Sequence, residues 1–105
     1  MEREKVDEIL KKHEKWLNYD GGKRADLSGA DLSDTDLSGA NLRGSDLIAV
    51  NLSGADLSDT DLSYTDIKGA DLSGADLSGA DISHCIMRDT DLSGADISGA
   101  TGIKK

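Results

Sequence analysis

Three groups of residues carry side chains able to do chemistry. Asp81, Ser83 and His84 supply the residue types of a nucleophilic triad. His84 and Cys85, with His13 far upstream, supply nitrogen and sulfur ligands for a metal. Fifteen Asp between residues 25 and 99 supply oxygen ligands for a hard cation. A catalytic site needs different groups that converge. The Asp and Ser of the first group instead recur at the same offsets all along the chain. A zinc site needs about four ligands, and two His and one Cys fall short. Cys85 holds a place otherwise taken by Ala, Ser, Thr or Val, which suits a partly buried, unreactive thiol. The Asp offer at most a weak, adventitious Ca²⁺. No catalytic residue, cofactor or metal ligand is therefore expected, and the expected protein is not an enzyme.

The recurrence itself is the dominant signal. Residues 25–99 read as fifteen pentads without insertion or deletion, from Ala25-Asp26-Leu27-Ser28-Gly29 to Ala95-Asp96-Ile97-Ser98-Gly99. The third place is Leu eleven times, Ile three times and Met once. The second is Asp or Asn in fourteen pentads, Ile86 being the exception. The first place is small or β-branched, and the last two are mostly Ser-Gly or Ser-Asp, which is turn chemistry. A period of five matches neither a helix nor a flat strand. It fits a chain that turns a corner every five residues. The third-place residue then points inward, and the second-place Asp bonds the backbone two residues on. Stacked coils joined by parallel ladders at ~4.8 Å would bury each apolar face only against its neighbours.

The A-(D/N)-L-x-x run resembles the pentapeptide-repeat family, over residues 25–99. The resemblance implies a right-handed quadrilateral parallel β-helix, here of nearly four coils, twenty residues to a coil. Some longer members of that family protect DNA gyrase from quinolones, and are thought to do so as DNA mimics.

The rest of the chain frames this solenoid. It has 105 residues, a formal charge of −9, no Phe and one Cys. Such low hydrophobicity and high charge would ordinarily mean disorder; the repeat is what argues against it. No apolar run approaches the ~20 residues of a membrane span, and the charged first 20 residues contain no secretory core. A cytoplasmic location is expected, with no membrane partner. The acidic balance argues against direct nucleic-acid binding. Residues 1–24 form a separate unit. Val6, Ile9, Leu10, His13, Trp16 and Leu17 recur at helical spacing, and Gly21-Gly22 ends the pattern. The reading is an amphipathic helix over 3–18 that caps the first coil, with Val6, Ile9, Leu10, Trp16 and Leu17 facing it and Trp16 laid over Leu27, Leu32, Leu37 or Leu42. The solenoid is expected over 25–100, and residues 101–105 form a short tail.

Two surface features are candidates for function. The repeats carry 15 Asp against Arg43, Lys68 and Arg88, a net of −12, in columns that stack every twenty residues. Charges ~4.8 Å apart compare with one phosphate per ~3.4 Å of a DNA strand, the basis for charge mimicry of DNA. The second feature is a bias. Counted by twenties, Ile48, Lys68, Ile86 and Arg88 share the side that begins with Leu27, and Arg43, Tyr64 and His84 share the adjoining one. These seven residues form a candidate patch for an unknown protein partner. At the far end Met87, Leu92 and Ile97 face inward with little to cover them, so a weak homodimer through that coil is expected. Ile103 folding back, with Lys104 and Lys105, would disfavour it.

Overall fold

A computed structural model describes residues 1–102. One helix, α1 (Arg3–Leu17), precedes a solenoid without long strands. Its rungs are single parallel bridges, all between residues twenty apart, from Asp26–Asp46 to Asp81–Thr101. They fall into four columns, which follow Asp26, Asp31, Asp36 and Asn41. From Leu27 to Ile82 each third-place N–H donates to the second-place carbonyl of the next turn, as Leu27 does to Asp46 at 2.8 Å. From Asp46 onward each second-place N–H donates back to a first-place carbonyl, as Asp46 does to Ala25 at 3.0 Å. Only backbone is used, so a Thr can serve as a rung. Thr101, expected to start the tail, is in fact the last rung, because its N–H reaches Ala80 and its carbonyl accepts from Ile82.

The corners follow from the pentad. The N–H of each first place donates to the third-place carbonyl before it, as Ala30 does to Leu27 at 3.1 Å. All fifteen fifth places have φ between 56° and 73°, the conformation a type II turn needs at its third residue. Gly takes it freely, which explains the Ser-Gly ending. The second-place Asp completes the corner. Asp26 Oδ1 accepts from the Ser28 N–H at 3.1 Å and from its hydroxyl at 2.7 Å, and Asp76 does the same with Ser78.

The core is a stack of third-place side chains. Leu27 to Leu77 are at most 2% exposed, with Ala55, Ala70, Ala75 and Ala80 packed beside them. First-place hydroxyls are buried without cost to satisfaction. Thr60 Oγ1 donates to the Leu57 carbonyl at 2.6 Å and Thr65 Oγ1 to the Leu62 carbonyl at 2.7 Å.

Val6 of α1 is fully buried in the same cluster, with Ile9 and Leu10 packed against it. The expected place of Trp16 is corrected here. The residue that enters the interface is His13, which is fully buried. Its Nδ1 accepts the Ala25 N–H at 2.9 Å, and its Nε2 donates to the Arg43 carbonyl at 2.9 Å. Trp16 lies outside it, 40% exposed, stacked on the imidazole at 5.5 Å and 22°. The physical reason is polarity. The first coil presents open backbone donors and acceptors, which an imidazole satisfies from both sides and an indole, with one donor, does not. Leu17 is half-buried. Residues 103–105, including the Ile103, Lys104 and Lys105 of the expected tail, lie outside the described residues.

Candidate partner-binding surface

The corner column at Gly44, Tyr64 and His84 carries the most specific surface geometry. Tyr64 and His84 hold φ of 61° and 60° at places where Gly is the unstrained choice. From that corner their rings project and stack, with centroids 4.6 Å apart and planes 13° from parallel. The Arg43 guanidinium lies over the Tyr64 ring, with Cζ 4.6 Å from its centroid, and its Nη1 donates to Ser63 Oγ at 3.3 Å. The ring is thus enclosed between a cation and an imidazole, yet Tyr64 remains 53% exposed.

The adjoining side carries the rest of the expected patch. The ladder runs from Gly29 to Ile48, from Ala49 to Lys68 and from Gly69 to Arg88, which places Ile48, Lys68 and Arg88 on successive turns of one column. Lys68 pairs with Asp66 at 3.6 Å. Ile86 takes the bridge opposite Asp66 and is 50% exposed. The structure therefore places the seven residues on two columns either side of one corner, and three of them form a direct stack. Tyr64 and His84 occupy the same pentad place twenty residues apart, so their alignment was legible; the reach of Arg43 from the place before, one turn earlier, was not.

The other chemical candidates have structural explanations. The Ser83 hydroxyl donates to Asp81 at 2.6 Å, the same corner bond as in other pentads, while His84 is stacked on Tyr64. Cys85 Sγ donates to the Leu62 carbonyl at 2.9 Å, and burial pushes its thiol up from its ordinary range. Among the described residues no three His, Cys, Asp or Glu are placed to hold a metal ion. Nor, among those residues, is any helix long and apolar enough to cross a membrane. The serine hydroxyls, and then the backbone N–H groups, hold Asp31, Asp36, Asp91 and Asp96 below the usual carboxylate range. These four carboxylates therefore hold their charge further into acid than a free Asp does.

At the far end Met87 and Leu92 are partly buried and Ile97 is 43% exposed. They line an open cavity of about 670 Å³ with Ile82 and Cys85.

With this geometry in view, the chain belongs to the pentapeptide repeat family: pentapeptide repeats match residues 25–63 and 65–101 in eight copies. A solved structure of the same family shares the fold. HetL of the cyanobacterium Nostoc sp. strain PCC 7120, a pentapeptide repeat protein involved in heterocyst differentiation regulation, is 40% identical with a TM-score of 0.71. That match covers 71% of this chain and 35% of HetL, so the chain spans about a third of its length. The pentapeptide repeat protein alr5209 of Nostoc PCC 7120 is 35% identical over 85% of this chain and 74% of its own, with a TM-score of 0.46. QnrB1, a plasmid-mediated fluoroquinolone resistance protein, is 20% identical over 79% of this chain and 49% of its own, with a TM-score of 0.40. No curated protein matches the chain.

Proposed function

We propose that the protein is a non-enzymatic, cytoplasmic binding or scaffold module. In this reading a right-handed rod of nearly four coils, capped by α1, presents the Tyr64–His84 corner and its flanking columns to a protein partner. One observation carries it: the Arg43–Tyr64–His84 stack, built at corner places where Tyr and His are strained and Gly is not. Strain of that kind costs on the order of 1–2 kcal/mol per residue. Rings held out in solvent return only part of it to the fold, and aromatic and Arg side chains are what partner surfaces favour. A regulatory role is in keeping with the involvement of HetL in heterocyst differentiation regulation. The test is a pull-down from the native host with the wild type and with a Tyr64→Ser, Lys68→Ser, Arg88→Ser variant. Loss of a partner by the variant supports the reading; identical partners for both would overturn it.

A second reading rests on the acidic columns, in which serine hydroxyls hold members such as Asp31 and Asp91 below the usual carboxylate range. In it the rod acts as a DNA mimic on a DNA-handling enzyme such as gyrase. A supercoiling assay with and without quinolone decides it, and no effect at micromolar protein would remove it. The exposure of Ile97 beside the partly buried Met87 and Leu92 supports weak self-association through these three residues. Sedimentation across a hundredfold concentration range checks this. A single 11.0 kDa species throughout would refute it.

A further inference from the structure

The chain has one Trp, two Tyr and no Phe, and all three rings line one groove. It is an open trough of about 530 Å³ between the end of α1 and the first two turns of the solenoid, with Trp16, Leu17, Tyr19, Arg43, Gly44 and Tyr64 in its lining. Chance does not readily gather every large aromatic of a chain in one place. Folding does not require it either, since Tyr19 is 97% exposed and, like Tyr64, sits in the left-handed region, at φ 57°. Trp16 stacks over His13 and Tyr64 on His84, whereas Tyr19 has no stacking partner among the described residues.

Charge sharpens the picture. One guanidinium, that of Arg43, lines the groove, and a second, that of Arg24, lies outside the lining but reaches its Gly44. Arg43 lies against Tyr64, and Arg24 Nη1 donates to the Gly44 carbonyl at 3.2 Å. Neither makes an ion pair among the described residues. The carboxylates whose fields reach them, Asp81 for Arg43 and Asp26 for Arg24, each accept from their own corner serine. On a surface this rich in Asp, Arg43, with no ion pair among the described residues and three exposed rings beside it, forms a site complementary to an anion joined to an apolar ring. Arg suits that task, because its planar fork binds a carboxylate while its face stacks on a ring.

We infer that this groove docks a segment of a partner protein that presents an aromatic side chain next to a carboxylate. The partner ring lies against Trp16 and Tyr19, beside the Arg43–Tyr64 stack, and the carboxylate meets the Arg43 guanidinium. The inference rests on the protein-binding reading above and names the chemistry the partner must offer.

Trp16, the sole Trp, reports directly on the groove. The probe is the peptide acetyl-Gly-Phe-Glu-Gly-amide, titrated into the full chain while Trp16 emission is followed. A saturable change is expected. Affinity should fall about tenfold for the peptide with Gln in place of Glu, and by a similar factor in an Arg43→Gln variant. Tyr19→Ser should weaken binding several-fold with an unchanged circular dichroism spectrum, because Tyr19 contributes nothing to packing. No saturable change would overturn the inference. So would equal binding of the Gln peptide, tighter binding of one with Lys in place of Glu, or inorganic phosphate alone giving the same response. If the peptide fails while the pull-down still separates wild type from variant, the groove is excluded and the partner surface stands.

Discussion

The two ends of the solenoid are made of the same pentads but live in different surroundings. At the first turn Leu32 and Leu42 have no exposed surface, because α1 lies over them with Val6 buried among them. At the last, Ile97 is 43% exposed and Leu92 only partly covered. The backbone differs in the same way. His13 takes the Ala25 N–H and reaches the Arg43 carbonyl at the first turn. Among the described residues the N–H groups of Met87, Leu92 and Ile97 have no backbone partner. A repeat supplies its own interior but not its ends, so the terminal surroundings decide how much each Leu is worth.

The largest contrast should come from the core. Leu32→Ala is expected to cost about 2–5 kcal/mol, whereas Ile97→Ala should cost about 1 kcal/mol or less, since half of that side chain already meets water. Urea titrations of both variants measure the difference, and equal losses would erase the contrast. His13→Ala comes next. It leaves two backbone groups unpaired at the capped end and should cost about 2–4 kcal/mol. An equal cost for His84→Ala would mean that the buried contacts of His13 carry no special weight.

His13 also makes the capped end sensitive to pH. Burial, the largest influence, lowers its pKa, and the Arg24 charge acts in the same direction; the bond to the Arg43 carbonyl opposes them. A folded pKa below the unfolded value of ~6.5 means that the unfolded chain binds the proton more readily. The contribution is therefore whole above pH 6.5 and is lost as pH falls through the folded pKa. Protonation would also set a second donor against the Ala25 N–H. Thermal melts between pH 7.5 and 5 should show this decline in the wild type and a flatter profile in His13→Ala. Parallel profiles would refute the role.

The smallest effect is expected on the surface. Tyr64→Gly removes stacking worth about 0.5–1.5 kcal/mol and relieves strain of similar size. Stability should stay within about 1 kcal/mol of wild type. A larger loss would make the stack a structural device rather than a display.

Much of this was legible in the residues. The five-residue period forced corners, and Asp two places before each turn amide forced the Asp–Ser bond. The twenty-residue register was legible only through the family resemblance, since the pentad sets the corner but not how many corners close a turn. The helix was legible from its spacing, but its key residue was not. Hydrophobicity pointed to the indole of Trp16, while the open backbone groups of the first turn required an imidazole with one donor and one acceptor. The gathering of Trp16, Tyr19 and Tyr64 was equally hidden, because it joins the end of α1 to a turn more than twenty residues away.

Amide hydrogen exchange in the full chain tests the contrast between the two ends most directly. The N–H groups of Leu27, Leu32, Leu37 and Leu42 donate across the ladder at 2.7–2.8 Å beneath α1 and should be strongly protected. Those of Met87, Leu92 and Ile97 should exchange orders of magnitude faster in dilute monomer. Equal protection at both ends under those conditions, or faster exchange at Leu32 than at Leu92, would contradict a solenoid capped at its first turn and open at its last.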